Sequence, residues 1–250
     1  MPVDPVLVVT GGGRGIGAAT ALLGARRGYA VCVNYLRDGD SAAKVADAIT
    51  RDGGEAIVVQ ADVGHTDDVA RLFATVDSRL GKVTALVNNA GTLETQGTLE
   101  DLDEERLLRI LRTNVVGTFL ASREAVRRMS TRHGGTGGAI VNVSSAAARL
   151  GSPGEYLDYA ASKGAVDTFT RGLALEVVAE GIRVNAVRPG VIDTELHASG
   201  GEPGRAARLA AGLPMRRPGR ADEVAEAILW LLSDAASYTT GTIVDVAGGR

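Results

Sequence analysis

Seven short runs of Val, Ile, Leu and Ala recur along the chain, and most are followed by a longer stretch with helical spacing. The runs are "VLVVT" (6–10), "AVCVNY" (30–35), "EAIVVQAD" (55–62), "TALVNNAG" (84–91), "AIVNVSS" (139–145), "IRVNAVRPG" (182–190) and "GTIVDVAGG" (241–249). They are continuous rather than alternating, which is the pattern of strands covered on both faces. Between them, Ala18, Ala19, Leu22, Leu23 and Ala25 form one apolar stripe. Ala43, Val45, Ala46 and Ile49 form a second, and Val69, Leu72, Phe73 and Val76 a third. Residues 101–130 read as one long helix or two joined ones, 159–181 as a strong helix, and 221–234 as a late helix. Strands alternating with helices imply right-handed crossovers. The expected fold class is therefore α/β, a doubly wound parallel sheet flanked by helices.

Composition narrows the function classes. The 250 residues carry a net charge of −3 with no basic block, which gives a nucleic-acid backbone nothing to bind. No apolar run approaches the roughly 18 residues of a membrane span. The start "MPVDPVLVVTGGG" lacks the features of a signal peptide, so a cytoplasmic protein is expected. Cys32 cannot form an internal disulfide and sits in an apolar run as a small core residue. His65, His133 and His197 share no ligand-like spacing with it, so no metal site is expected.

"TGGGRGIG" (10–17) lies where the first strand meets its helix. Gly11, Gly15 and Gly17 permit a tight turn and let backbone N–H groups approach a pyrophosphate. The helix N-terminus adds its positive end. That context makes Gly11, Arg14, Gly15, Ile16 and Gly17 a dinucleotide-binding loop. NAD-preferring sites place an acid at the end of strand two, but this chain has Asn34, Tyr35, Leu36 and Arg37 there. Arg14 and Arg37 offer partners for a 2′-phosphate. Both points favour NADP(H), with NAD(H) as the alternative. Asp62 or the Val63 backbone is placed to hold the adenine.

"TGGGRGIG", "NNAG" (88–91), Asn114, "VNVSS" (141–145), "YAASK" (159–163) and "RPG" (188–190) together resemble the short-chain dehydrogenase/reductase family. The chain is similar to its short single-domain branch of glucose dehydrogenase-like and 3-oxoacyl-carrier-protein reductase-like enzymes. The resemblance covers essentially the whole chain. It implies one Rossmann domain over 1–250, a nicotinamide cofactor, and hydride transfer between nicotinamide and an alcohol or carbonyl. Its Tyr-x-x-x-Lys motif matches Tyr159 and Lys163. Four residues is about one helical turn, so both side chains share a face. A tyrosine of ordinary pKa, about 10, is a poor base at neutral pH. A nearby ammonium favours the phenolate. Tyr159 is thus the implied acid/base. Lys163 is its electrostatic partner and the ligand of the nicotinamide ribose. The third member is a serine ending the preceding strand, and Ser145 is favoured over its neighbour Ser144. Asn114 matches the fourth member, with a suggested role in proton relay.

By the same resemblance Asn88, Ala90 and Gly91 lie along the adenosine ribose. Pro189, Gly190, Ile192 and Thr194 lie under the nicotinamide and at a phosphate. Tyr156 has no lysine four positions on and reads as a pocket-lining or loop-anchoring residue. The Gly- and Pro-rich stretch 193–217 reads as a substrate lid. Its Glu195, His197 and arginines hint at a polar small molecule. The family usually forms tetramers, so a homotetramer is expected. Two rival readings are a non-turnover NADP(H)-binding regulator and a dehydratase or epimerase on the same fold.

Overall fold

The computed structural model describes residues 5–250, except the side chain of His197. Seven parallel strands form one sheet in the order β3-β2-β1-β4-β5-β6-β7. They are β1 (Val6–Val9), β2 (Ala30–Tyr35), β3 (Ala56–Gln60), β4 (Val83–Asn88), β5 (Gly138–Val143), β6 (Ile182–Pro189) and β7 (Ile243–Val246). The helices are α1 (Gly15–Arg26), α2 (Gly39–Arg51), α3 (Thr66–Arg79), α4 (Glu104–Leu111), α5 (Gly117–Met129), α6 (Ala147–Leu150), α7 (Leu157–Val177), α8 (Leu196–Ser199), α9 (Arg205–Leu209) and α10 (Ala221–Leu232).

All four β1 residues are buried, and the pleat splits them between two cores. Val6 and Val8 face a layer with Val69, Leu72 and Phe73 of α3, Ala121 and Ala125 of α5, and Ala174 and Val177 of α7. Leu7 and Val9 face the opposite layer, with Ala21 of α1, Val45 and Ile49 of α2, and Ile228 and Leu229 of α10. Two-sided burial explains why the strands read as unbroken apolar runs.

The segment 101–130 is two helices joined by a π-helical turn, Arg112–Val116. Such a turn inserts one residue into the helical ladder and is often found at functional sites. Arg183 on β6 ends the last helix. Its guanidinium donates to the carbonyls of Leu231, Leu232 and Ser233 at the C-terminus of α10, where the helix leaves its last carbonyls without intrahelical partners. The strand order reverses direction between β1 and β4. The loops after these two strands part there and open a crevice at their carboxyl ends.

Candidate active site

The crevice is a cavity of about 990 Å³. It runs from Asp38 and Ser41, past the glycine loop, to Ser145, Tyr159 and Lys163, and ends under α8 and α9. Of the residues expected at the site, Gly17, Asn88 and Asn114 alone stay out of its lining.

The glycine loop is held from behind. The Thr10 hydroxyl oxygen accepts from the backbone N–H of Asn89 and of Ala90, both at 3.0 Å. Asn89 Nδ2 donates to the carbonyls of Thr10 and Gly11 at 2.9 Å. A β-carbon at Gly17 would collide with the Gly11 carbonyl and with Asn89 Nδ2, so Gly17 serves packing rather than ligand contact. Gly15 has φ +52°, where side chains are disfavoured, and it faces Thr194 across the cavity. No side chain caps α1, which leaves its first N–H groups directed at the cavity. A glycine cradle, a free helix N-terminus and an elongated cavity fit a dinucleotide.

At the adenosine end the structure corrects one expectation. The Asn34 side chain is buried and donates to the carbonyls of Val59 and Ala61 at 3.2 and 3.1 Å. Its Oδ1 accepts from Gly11 N–H. Asn34 ties β2 to β3 and to the glycine loop, so its side chain is not available to a ribose. Tyr35 is half-buried against Gly39. Arg14 and Arg37 are exposed on the cavity wall. Asp62 Oδ1 accepts from Gly64 N–H at 2.8 Å, which shapes the loop that presents Val63. Asp38 also lines this end. It caps α2, accepting from Ser41 N–H at 3.0 Å and Ser41 Oγ at 2.7 Å. Those bonds hold its carboxyl below the ordinary range, with Arg14 and Lys44 adding to the effect. An acid three residues before a serine at a helix start was a readable capping signal.

The Asn88 side chain points away from the cavity. Asn88 is buried and donates to Ser122 Oγ at 2.9 Å and Asn142 Oδ1 at 2.8 Å. Asn142 donates onward to Thr170 Oγ1. This polar chain lies inside the core, and Asn89, one residue on, takes the cavity position.

At the opposite end β5 and α7 bring Ser145, Tyr159 and Lys163 together. Ser145 shares a hydrogen bond with the Tyr159 hydroxyl. Its Oγ also accepts from Ala147 N–H at 3.1 Å. Ser144 is buried and donates instead to the Lys163 carbonyl at 3.2 Å. Burial pushes the Tyr159 phenol up to about 12, and the Ser145 bond opposes this. Burial pulls the Lys163 ammonium down to about 8, against the charge of Asp167. Lys163 Nζ donates to the Val143 carbonyl at 2.7 Å and lies 5.6 Å from the Tyr159 ring centre. Asn114 sits in the π-helical turn, where its amide bonds both backbone groups of Thr92 and the Ser162 hydroxyl. A β-carbon built on Gly91 would meet Lys163 Nζ at 3.4 Å and Asn114 Oδ1 at 3.6 Å, so all three crowd one spot.

Two supports went unread in the sequence. Asp158 accepts the Tyr159 N–H at 2.9 Å and pairs with buried Arg106 of α4 at 2.7 Å. Asp167 pairs with Arg188 at 2.6 Å, and its Oδ1 is buried with no hydrogen-bond partner among the described residues.

Pro189, Gly190, Ile192 and Thr194 line the cavity beyond β6. The Pro189 carbonyl accepts from Ala146 N–H and so braces the serine loop. Arginines of the lid are engaged in ion pairs. Arg205, Arg208 and Arg217 are each paired, with Glu155, Glu202 and Glu223 respectively. The cavity wall near Tyr159 includes Leu93, Leu150, Tyr156, Val191 and Leu196. The His197 side chain lies outside the described atoms.

Among the described residues no helix is long and apolar enough to cross a membrane.

Comparison with known proteins agrees with this geometry. The profile of a family described as enoyl-(acyl carrier protein) reductase matches residues 11–250. An uncharacterized oxidoreductase of Escherichia coli (strain K12), YgfF, is 60% identical, covering 98% of this chain and 99% of its own. Cis-4-hydroxycyclohexanecarboxylate dehydrogenase of Sinomonas cyclohexanicum is 42% identical, covering 98% and 96%. The crystal structure of 3-ketoacyl-(acyl-carrier-protein) reductase from Brucella melitensis, complexed with NADH, superposes with a TM-score of 0.90 at 33% identity and covers 98% of both chains. With a nicotinamide-dinucleotide fold and relatives of this kind over its whole length, the chain belongs to the short-chain dehydrogenase/reductase family of oxidoreductases.

Proposed function

We propose that the chain is an NADP(H)-dependent oxidoreductase that interconverts an alcohol and a carbonyl in a small molecule, with Tyr159 as acid/base. One observation carries the reading. Ser145, Tyr159 and Lys163 converge at one end of a cavity whose other end is a glycine loop flanked by Arg14 and Arg37. The bound nicotinamide supplies or accepts the hydride. The chain's own residues do the rest. The Ser145 hydroxyl and the Tyr159 hydroxyl together grip the substrate oxygen. In carbonyl reduction Tyr159 Oη delivers the proton to that oxygen, and in alcohol oxidation it takes the proton away. A charged Lys163 favours the phenolate left on Tyr159. Asn114 fixes the Thr92 backbone beside Lys163, on the path by which a proton returns. Arg14 is the preferred partner of the 2′-phosphate, and Arg37 the second.

The reading extends to assembly and place. Trp230 on α10 and Tyr238 are exposed apolar side chains and the edge strand β7 is half-buried, features that support a homotetramer. Light scattering on the purified protein tests it. The chain is placed in the cytoplasm and acts as one domain with its lid at 193–217.

Titration with NADPH and then NADH, followed by nicotinamide fluorescence, tests the cofactor assignment. Tighter NADPH binding that weakens in Arg14→Ala supports it, and equal or tighter NADH binding overturns it. A carbonyl screen then begins with 4-oxocyclohexanecarboxylate, the ketone matching the alcohol in the Sinomonas relative's name.

A further inference from the structure

Three separate segments meet above Tyr159. They are the loop after β4 (93–97), the loop leading into α7 (151–156), and the lid (196–209). Their meeting point is built from charged groups rather than from apolar contacts. Arg205 on α9 is buried, and its two terminal nitrogens donate to the two oxygens of Glu155 at 2.9 and 2.6 Å. The guanidinium stands 5.2 Å from the centre of the Tyr156 ring. Tyr156 is itself buried, and its hydroxyl accepts from Gln96 Nε2 at 3.3 Å. The same nitrogen donates to Glu202 at 2.7 Å, and Glu202 accepts from Arg208 at 2.5 and 3.0 Å. The Glu155 carbonyl accepts from Gly97 N–H at 3.0 Å. Gly200 of the lid packs its backbone against Leu93 and the Tyr156 hydroxyl, where no side chain would fit.

We propose that Glu155 and Arg205, clasped against the Tyr156 ring, are positioning residues that latch the lid over the substrate end of the cavity. The proposal rests on the oxidoreductase reading above. The apolar support of the lid is small. Its apolar cluster consists of Val191, Ala206 and Leu213, with Leu209 packed alongside. A short helix with so small a core opens easily unless something pins it. A two-pronged arginine–carboxylate pair with its arginine buried has the directionality to do so, while the partly exposed Glu155 leaves it releasable. The latch lies close to Tyr159, since Glu155 is four residues before it, in the loop leading into α7. It also consumes a charge. Arg205 lines the cavity, and Glu155 keeps its cation from acting on the substrate.

The test uses the full chain, with and without saturating NADPH. Amide hydrogen exchange over 196–213 is compared in wild type, Glu155→Gln, Arg205→Lys and the swapped pair Glu155→Arg/Arg205→Glu. In Glu155→Gln the lid amides are expected to exchange about tenfold faster while the sheet and α7 keep their protection. With the first ketone that turns over, KM rises about tenfold and kcat stays within about twofold, the signature of lost substrate positioning. The swapped pair recovers a large part of both, which a merely structural role for Glu155 would not give. Unchanged lid exchange in Glu155→Gln overturns the latch, as does loss of protection across the whole chain without recovery in the swapped pair. If wild type fails to bind NADPH, the oxidoreductase reading falls. Lid exchange in the nucleotide-free protein still decides the latch.

Discussion

Two arginine–carboxylate clasps flank the start of α7, three residues apart, and they differ in what surrounds them. Asp158–Arg106 is enclosed on both sides, with side-chain exposures of 2% and 8%. Glu155–Arg205 is buried on the arginine side, but Glu155 is 30% exposed. The first joins α7 to α4 and accepts the Tyr159 N–H, so it belongs to the floor of the site. The second joins the loop leading into α7 to α9, a helix of five residues, so it belongs to the rim. The same chemistry makes a fixed point where both partners are desolvated and a releasable one where water reaches a partner. On the proposed reading the floor carries the reaction and the rim controls access to it.

The largest expected effect falls on the floor. Tyr159→Phe removes one oxygen and leaves the ring packing, so the fold and nucleotide affinity stay as they are. Turnover is expected to fall by roughly a thousandfold, the upper part of what acid–base catalysis contributes. Steady-state kinetics beside a nucleotide titration check this. A variant that keeps most of its turnover would move the acid/base role away from Tyr159.

Next come the two clasps themselves. Asp158→Asn leaves Arg106 buried with a neutral partner, and is expected to cost about 3 kcal/mol of stability in urea unfolding. Glu155→Gln is expected to cost about 1 kcal/mol or less, because its pair is partly solvated and Arg205 can turn outward. Equal losses would erase the distinction between floor and rim.

A pH series sharpens the floor further. Lys163 titrates near 8 in the folded chain, against an ordinary value near 10.4, because burial disfavours its charge. Between those values the unfolded chain binds a proton that the folded chain has released. Stability contributed by this group therefore rises with pH above about 8 and is lost as pH falls back through it. Tyr159, displaced upward to about 12, works in the opposite sense and only above its ordinary value of about 10. Unfolding free energies from about pH 8 to 10 should thus climb less in Lys163→Met than in wild type. Over the same range kcat/KM for the nucleotide should fall in wild type as Lys163 loses the proton it uses. The site holds a cation where burial opposes one, and function is favoured there at the expense of stability.

How much of this was legible in the sequence follows the same division. The floor is built from short-range patterns. The family's Tyr-x-x-x-Lys motif and strand-end serine mark Tyr159, Lys163 and Ser145 within short stretches, and the structure brings all three to the cavity. The strands could be read because two-sided burial leaves a simple apolar signature. The errors came where one residue's shift reverses a side chain. Asn88 and Asn89 are adjacent and identical in type, yet the pleat turns the first into the core and the second toward the cavity. Asn34 differs: it lines the cavity, but its side chain is taken up by β3 and the glycine loop. The clasps had no local signal at all. Glu155 and Arg205 are 50 residues apart and Arg106 and Asp158 are 52 apart. Only the folded chain brings them together.

The smallest expected effect lies at the far rim, where the nucleotide's adenosine end meets exposed charges. Arg14→Ala is expected to weaken NADPH binding about tenfold and leave NADH nearly unchanged, since an arginine there serves only the 2′-phosphate. Asp38 gives the opposite sign. Its carboxylate occupies Ser41 N–H and Ser41 Oγ at the start of α2, donors that an incoming phosphate would otherwise use. It also adds a negative charge to the cavity wall that holds Arg14. Asp38→Asn keeps a capping oxygen but removes the charge. NADPH binding should therefore tighten about threefold, with NADH again nearly unchanged. The gain should shrink as salt is raised, because both partners are exposed. Nicotinamide fluorescence titrations at two ionic strengths read both variants. A tightening for NADH equal to that for NADPH would show that Asp38 acts on the shared part of the dinucleotide. It would then have no part in telling the two cofactors apart.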